Sequence, residues 1–341
     1  MAETAISLDQ LPEIKRIQHY LRAKGLELPS APKDIQAEWS VPFMRWVTAN
    51  TTAGIEATMQ PADEPGIRIS THRDIVCDPA LYNMARFDAG LSTTHIVLGS
   101  NLARLPWVKT LMEANKAIFI DRSLSGRSAF DQHKAISKRI ADITDRGGQV
   151  WIAQGPGRAK QGRDETHVGL LKMLAKARGG DRLGPQVLTG LVRPLVVRYD
   201  VNPCDMLLIK ERLDGIKTEK DDERSMRIGL EGWKGTVRIA EGVAIESVDC
   251  ANDRAGWESY AQRVDDAMES MGISGQWAHE AQQALDKGDF SGLSESFLDR
   301  IAWIEVELGV LGEGLGRDTL TRMACEIYRE GSARSGPVTH P

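Results

Sequence analysis

The sequence predicts an α/β fold: a central mainly parallel or mixed sheet flanked by helices, with an accessory helical region toward the C-terminal end. Three observations carry this. Between residues 66 and 245, six short β-like runs alternate with stretches of helical periodicity, the signature of strands joined by helices in layers. After residue 250 the periodicity is helical almost throughout. No Pro-, Ser- or Gly-rich linker divides the middle of the chain, so a single core is expected over residues 41–250.

The elements follow in order. Residues 1–40 hold one helix, Leu11 to Lys24, and a Pro-containing connector. Gly66 to Ser70 reads as the first strand, and Asp78 as the cap of a helix from Pro79 to Ala89, where proline suits the first turn. His95 to Gly99 and Ala117 to Ile120 are the next strands. Ile136, Ile140 and Ile143 recur at helical spacing within 127–144. Val150 to Ala153 is a strand, Thr166 opens a helical run to Arg178, and Val192 to Tyr199 and Val237 to Ile245 are strands again. Trp233-Lys-Gly235 reads as a turn. In residues 251–341, helices are expected over Trp257 to Met271, Trp277 to Leu285, Phe297 to Leu311 and 317–330.

The chain has 341 residues, 41% hydrophobic and 27% charged, enough to bury a sizeable core. Cys77, Cys204, Cys250 and Cys325 lie far apart with no CxxC spacing, which points away from a disulfide framework and a zinc site and toward a reducing cytoplasm. No apolar run reaches the ~18 residues of a spanning helix, and Met1 to Gln10 is acidic and polar, unlike a secretory signal. Membrane contact would be peripheral, at the inner face. The net charge of −5 argues against a nucleic-acid partner. The 104–139 stretch is locally basic, through Arg104, Lys109, Lys116, Arg122, Arg127, Lys134, Lys138 and Arg139. Such a face suits a phosphorylated ligand, coenzyme A, an acidic carrier protein or anionic lipid.

Three segments could carry chemistry. In Ile69-Ser-Thr-His-Arg-Asp-Ile-Val-Cys-Asp-Pro79, His72 directly follows a strand, with Asp74 and Asp78 close behind it. A carboxylate can hold a histidine tautomer and stabilise the imidazolium that forms when the ring takes a proton. No G-x-S-x-G nucleophile motif is present, so an acceptor would attack directly. In Trp151-Ile-Ala-Gln-Gly-Pro-Gly-Arg-Ala-Lys-Gln-Gly162, a strand enters a Gly-rich turn followed by Arg158 and Lys160, a setting for an anionic group. It is neither a Walker loop nor a dinucleotide fingerprint. Between them, Ile118-Phe-Ile-Asp-Arg122 ends a buried-looking strand in an arginine whose planar fork suits phosphate.

Taken in order, these segments resemble the glycerolipid acyltransferase superfamily, which makes lysophosphatidic and phosphatidic acids and has a His-x4-Asp first motif. His-Arg-Asp-Ile-Val-Cys-Asp (72–78) resembles the first block, with Leu98-Gly-Ser-Asn-Leu102 through Pro106-Trp107 leading to the second. Ala117 to Arg122 resembles the second block, Ile152 to Gly162 the third, and Arg193-Pro194-Leu-Val-Val the fourth. The likeness covers about residues 60–245 and is similar to a bacterial subgroup with a His-Arg-Asp-Ile-Val-x-Asp first motif.

The resemblance implies the fold of that superfamily, with His72 as general base, Arg122 as a ligand of the acceptor phosphate, and Gly157, Arg158 and Lys160 shaping the substrate pocket. It implies no metal and no prosthetic group. The co-substrate would be acyl-CoA or an acyl carrier protein, and the acceptor glycerol 3-phosphate or a lysophospholipid, in phospholipid biosynthesis. The rival acceptor is an acylated amino-acid lipid, and the rival class is a noncatalytic lipid- or acyl-carrier-binding relative. Two departures stand out. Cys77 occupies the usual aspartate position, leaving Asp78 and Asp74 as candidate partners of His72, and Pro156 replaces the third-block glutamate of the subgroup. Asp164 and Glu165 are the nearby carboxylates that could take its place.

Overall fold

The structure, a computed structural model, describes residues 11–160, 162, 164–215, 219–246, 250–310 and 315–330; Met1 to Gln10, Gln161 and Leu311 of the expectations above lie outside the described residues. The chain begins with α1 (Pro12–Ala23), a π-helical turn at Gln36–Ser40 and α2 (Val41–Thr51). The layered region then runs β1 (Gly54–Thr58), β2 (Gly66–Ser70), α3 (Cys77–Asp88), β3 (His95–Gly99), α4 (Pro106–Ala114), β4 (Ala117–Ile120), α5 (Gly126–Asp145) and β5 (Gln149–Ala153). It continues with α6 (Val168–Ala175), the short α7 (Gly180–Leu183), β6 (Val192–Tyr199), α8 (Asp205–Asp214), α9 (Glu219–Glu231) and β7 (Thr236–Glu241). Four helices follow: α10 (Arg254–Glu269), α11 (Ala278–Lys287), α12 (Glu295–Val310) and α13 (Arg317–Tyr328).

The strands form one seven-stranded sheet in the order β1-β7-β6-β2-β5-β3-β4. Every neighbouring pair is parallel except β6 with β7, so β2 to β6 share one direction while β7 and β1 run the other way. This is the mainly parallel, helix-flanked sheet that the alternating pattern predicts. The period-2 alternation of the strands sorts their side chains between two cores. Ile67, Ile69, Val150, Ile152, Val192 and Val196 pack with residues of α5, α6 and α10 on one face. Trp151, Ala153, Leu195, Val197, Tyr199 and Ile239 pack with α2 and α3 on the other. Two further clusters complete the packing: α11, α12 and α13 close around α8, and α1 packs with Trp39, Trp46 and Trp107.

The sequence pattern passes over β1, α2, α4, α8 and α9. β1 is an exposed edge strand whose four outer positions carry no apolar contact face to read. α8 is buried on Asp205, Met206, Leu207, Leu208, Ile209 and Glu211, leaving no regular polar stripe to set a helical period. The start of α3 also differs from expectation. It begins at Cys77, and the carboxylate that satisfies its first free amides belongs to Asp74, whose Oδ1 accepts from Val76 N at 2.8 Å and Cys77 N at 2.7 Å. Asp78 is thereby free of capping. Much of the basic 104–139 stretch is neutralised along its own helices, through Lys109–Glu113, Arg127–Asp131 and Lys138–Asp142. No helix among the described residues is long and apolar enough to cross a membrane.

At the amino end of β2 the sheet is held by a buried ionic cluster. Arg68, Arg86 and Glu241 have side chains with 0% exposure. Arg68 Nε donates to Glu241 Oε1 at 2.9 Å and Arg86 Nη1 to Oε2 at 3.2 Å, tying β2 and α3 to the end of β7. Arg86 also reaches Asp63 and the Ser92 carbonyl. Removing the shared carboxylate takes the ion pair from Arg68 in the core and leaves Arg86 to Asp63. Glu241→Ala is therefore expected to lower unfolding free energy by about 3–5 kcal/mol, read as a reduced urea midpoint, because an uncompensated buried charge costs far more than the pair contributes.

Candidate active site

Because β2 to β6 are parallel, the loops after them gather at one edge of the sheet, where ligands bind in open α/β folds. β2 delivers His72, Arg73 and Asp74; β3 delivers Ser100 and Asn101; β4 delivers Asp121 and Arg122; β5 delivers Gln154 to Lys160; β6 ends in Tyr199. The His72 and third-block loops meet directly. Ala159 N donates to His72 O at 2.8 Å, and Gln154 N extends the β2–β5 ladder to Ser70 O at 2.9 Å.

His72 Nδ1 lies 3.0 Å from Asp78 Oδ2, and its ring meets Trp151 edge-on with centroids 6.2 Å apart. Asp78 is wholly buried. Its Oδ2 also accepts from Arg73 N at 2.7 Å and Asp74 N at 2.9 Å, and its Oδ1 accepts from Tyr199 Oη at 2.7 Å. The His72 side chain, 14% exposed, borders a cavity of about 580 Å³ shared with Gln154 to Lys160, Glu165 and Arg212. An ionised Asp78 accepts from Nδ1–H, which leaves the Nε2 lone pair available as a base.

Asp74 plays a different part. It is buried, it caps α3, and its second oxygen lies 3.7 Å from Cys204 Sγ. Burial, with Asp78 nearby, pushes its carboxyl above the ordinary range. A Cβ on Gly229 would stand 2.3 Å from Asp74 Oδ2, so α9 can pack here only through a glycine. Burial and the Asp74 charge likewise push the thiols of Cys77 and Cys204 up, which keeps them protonated and poor nucleophiles.

Arg122 donates from Nη1 to the carbonyl of Pro156 and lines a second cavity, of about 560 Å³, with Asn101, Arg104, Gly157 and Lys160. Pro156, which has no side-chain hydrogen-bonding group, thus offers its carbonyl to Arg122. A Cβ at Gly157 would meet nothing within 4 Å, and this glycine lines both cavities. Arg158 turns into the wall: its side chain is 2% exposed, with Nη2 2.6 Å from Glu211 Oε1 and 3.2 Å from Ser225 Oγ. Lys160 pairs with the same Glu211 at 3.2 Å but stays 40% exposed, which makes it the open cation of the loop.

The structure brings His72, Arg122, Gly157, Arg158 and Lys160 to the walls of two neighbouring cavities, the Arg158 side chain turned inward to Glu211, and buries Asp78 and Asp74 behind His72. Of the carboxylates near Pro156, Asp164 is locked between Arg73 and Arg198, each at 2.7 Å, while Glu165 lines the His72 cavity. Sequence reasoning missed Tyr199, Asn101, Glu211, Asp222 and Arg73. For Tyr199 a signal existed, since it ends a strand whose neighbours also end in site residues. For Glu211 and Asp222 none did, because they arrive from α8 and α9, far along the chain. Among the described residues no cluster of three or more His, Cys, Asp or Glu side chains could hold a metal ion.

Two apolar spaces flank this edge, one on each face of the sheet. One, of about 380 Å³, lies against α5 and α6 with Ile120, Leu124, Ile152, Leu170 and Met173, and reaches the His72 cavity at Gly155 and Pro156. The other, of about 330 Å³, lies under α1, α2 and α4 with Leu21, Phe43, Met84, Trp107 and Leu111, and reaches the edge at Ile75, Val76 and Pro79.

Comparison with known proteins places these features in context. Residues 54–192 match the model of the Acyltransferase family, a segment that contains His72, Asp78, Arg122 and the 154–160 loop. No curated protein matches the chain. Among solved structures, it is similar to the 1-acyl-sn-glycerophosphate (LPA) acyltransferase PlsC from Thermotoga maritima, with 13% identity, a TM-score of 0.42, and 68% of this chain and 77% of that chain covered.

Proposed function

We propose that the protein is an O-acyltransferase of phospholipid synthesis, moving a fatty acyl group from acyl-CoA or an acyl carrier protein to the hydroxyl of a lysophospholipid. The carrying observation is the dyad: His72 Nδ1 rests on a fully buried, fully hydrogen-bonded Asp78 while the rest of the ring borders a cavity. In that arrangement Nε2 takes the proton of the acceptor hydroxyl as its oxygen attacks the thioester carbonyl carbon. Asp78 stabilises the imidazolium. When the tetrahedral adduct collapses, the carbon–sulfur bond breaks and the leaving sulfur takes the proton back from Nε2. The dyad returns to its starting state.

Charge and shape support the acceptor. Arg122, Arg104 and Lys160 around the adjoining cavity suit a phosphate, and Lys160 can turn toward an anion at small cost because it is partly solvated. Glycerol 3-phosphate would require room for one hydrocarbon chain, that of the donor. A lysophospholipid brings a second chain, and this sheet edge has an apolar space on each face. Peripheral contact with a membrane would supply such an acceptor. Pro156 bears on the noncatalytic alternative, since it removes a carboxylate; Glu165, on the wall of the same cavity, offers one in its place.

The deciding assay is acceptor-dependent thiol release from long-chain acyl-CoA or acyl carrier protein, with lysophosphatidate against glycerol 3-phosphate. The parent is expected to release thiol with the lysolipid and His72→Ala to lose at least ~100-fold, the lower range of general-base effects. A folded parent that binds acyl donor but releases no thiol with any acceptor would make it a binding protein instead. The two aspartates should separate. Asp78→Asn is expected to cost ~10²–10⁴-fold in kcat through the wrong histidine tautomer, whereas Asp74→Asn, which can keep both amide contacts, should stay within about threefold. Filling the two apolar spaces tests the acceptor. Ala129→Phe and Ala80→Phe are expected to shorten the longest chain tolerated, one in the donor and the other in the acceptor; if neither changes acceptor-chain preference, the lysolipid assignment fails.

A further inference from the structure

Asp78 orients His72, and something must orient Asp78. Its two oxygens are held unequally. Oδ2 has three partners, His72 Nδ1 and the amides of Arg73 and Asp74, all from the turn that leads into α3. Among the described residues Oδ1 has one, the hydroxyl of Tyr199, 121 positions away on a different strand. Carboxylate rotation about the terminal torsion of an aspartate is soft, with no staggered wells to stop it. All three Oδ2 partners sit on residues 72–74, in the turn just before α3, so those bonds tie Asp78 to that turn and not to a strand of the sheet. Tyr199 can. It is 5% exposed at the end of β6, a strand paired on both sides, and its ring packs in the cluster with Cys77, Leu81, Trp151 and Val197.

From this geometry we propose that Tyr199 is a positioning residue that locks the Asp78 carboxylate to the sheet and so keeps His72 in the tautomer with the proton on Nδ1 and the lone pair on Nε2. The inference rests on the reading of His72 and Asp78 as the dyad of an acyltransferase. Tyr199 lines neither the His72 cavity nor the Arg122 cavity, and it acts through Asp78. Its role as donor is settled by its surroundings. An ionised carboxylate can only accept, and burial, reinforced by the Asp78 charge, raises the phenol well above its ordinary value, so the hydroxyl stays protonated across the working range.

A second contact explains why the anchor is rigid. Thr71, the residue before His72, accepts from Val197 N at 2.9 Å through Oγ1 and donates to Val197 O at 3.2 Å. The approach of the His72 loop to β6 is therefore stitched by Thr71 and Val197 at one point and by Asp78 and Tyr199 at the next. The first stitch sets the backbone and the second sets the carboxylate.

The test is Tyr199→Phe in the full chain, which keeps the ring and its packing and deletes one oxygen. Two readouts are needed. The first is the tautomer of neutral His72, from its ring ¹⁵N shifts, assigned by their loss in His72→Ala. The parent should be predominantly Nδ1–H, and Tyr199→Phe should show a clear rise in the Nε2–H form. The second is steady-state kinetics, where kcat should fall about tenfold with KM for donor and acceptor unchanged, since an orientation made for the transition state is lost and no substrate contact is. Tyr199→Leu separates packing from the hydrogen bond: it should lower the urea midpoint further while changing the tautomer no more than Phe does. An unchanged tautomer in Tyr199→Phe overturns the inference whatever the kinetics show. A shifted tautomer in a protein whose parent lacks turnover would uphold the anchoring role and sink the acyltransferase reading instead.

Discussion

A carboxylate with no exposed surface keeps its charge only if the protein replaces the water it has lost. At Asp78 that replacement comes from two loop amides, an imidazole and a phenol, supplied by the turn after β2 and by the end of β6. Most of the site depends on this demand. The turn must present two amides inward, which requires Asp74 to cap α3 in place of Asp78. The strand that supplies the phenol must be the immediate neighbour of β2, which the sheet order provides. His72 then stands where the third-block loop can bind its carbonyl through Ala159.

The same electrostatic rule organises the surroundings. Arg73, next to His72, lies between Asp164 and the Gly162 carbonyl, while Asp164 also meets Arg198 and Arg198 meets Glu330 beyond the end of α13. Gly162 sits so close to the end of that helix that an added Cβ would fall 2.0 Å from Arg329 O. The helices after residue 250 thus support the site loop from behind, and α10 shares the core of the sheet itself. Their place near the chemistry follows from charge neutralisation and close backbone approach and leaves no periodic trace in the sequence.

The loop after β5 divides its groups between the cavity and the wall. With proline at 156, Arg122 finds a main-chain carbonyl, and Arg158, the more conspicuous cation in the sequence, is absorbed by Glu211 from α8. Lys160 remains open because Glu211 has to serve two cations and holds the lysine only at the rim. The sequence of Gly-Pro-Gly-Arg-Ala-Lys places this turn at a strand end, where the structure has it after β5. It could not say which cation faces the cavity, since that depends on acids more than 50 positions away.

What the sequence by itself determined is what local periodicity and spacing encode: alternating strands and helices, a mainly parallel sheet, loops such as 72–78 and 154–160 placed at strand ends, and a helical C-terminal region. It left both Asp74 and Asp78 as candidates, Asp78 slightly favoured because it precedes a helix start, since spacing alone carries no direction. Only the tertiary structure decided between their geometries, through the helix start that consumes Asp74 and the distant Tyr199 that completes Asp78. The reason is physical: a buried charge is placed by the sum of its donors, and here those donors come from segments that meet only when the sheet is formed.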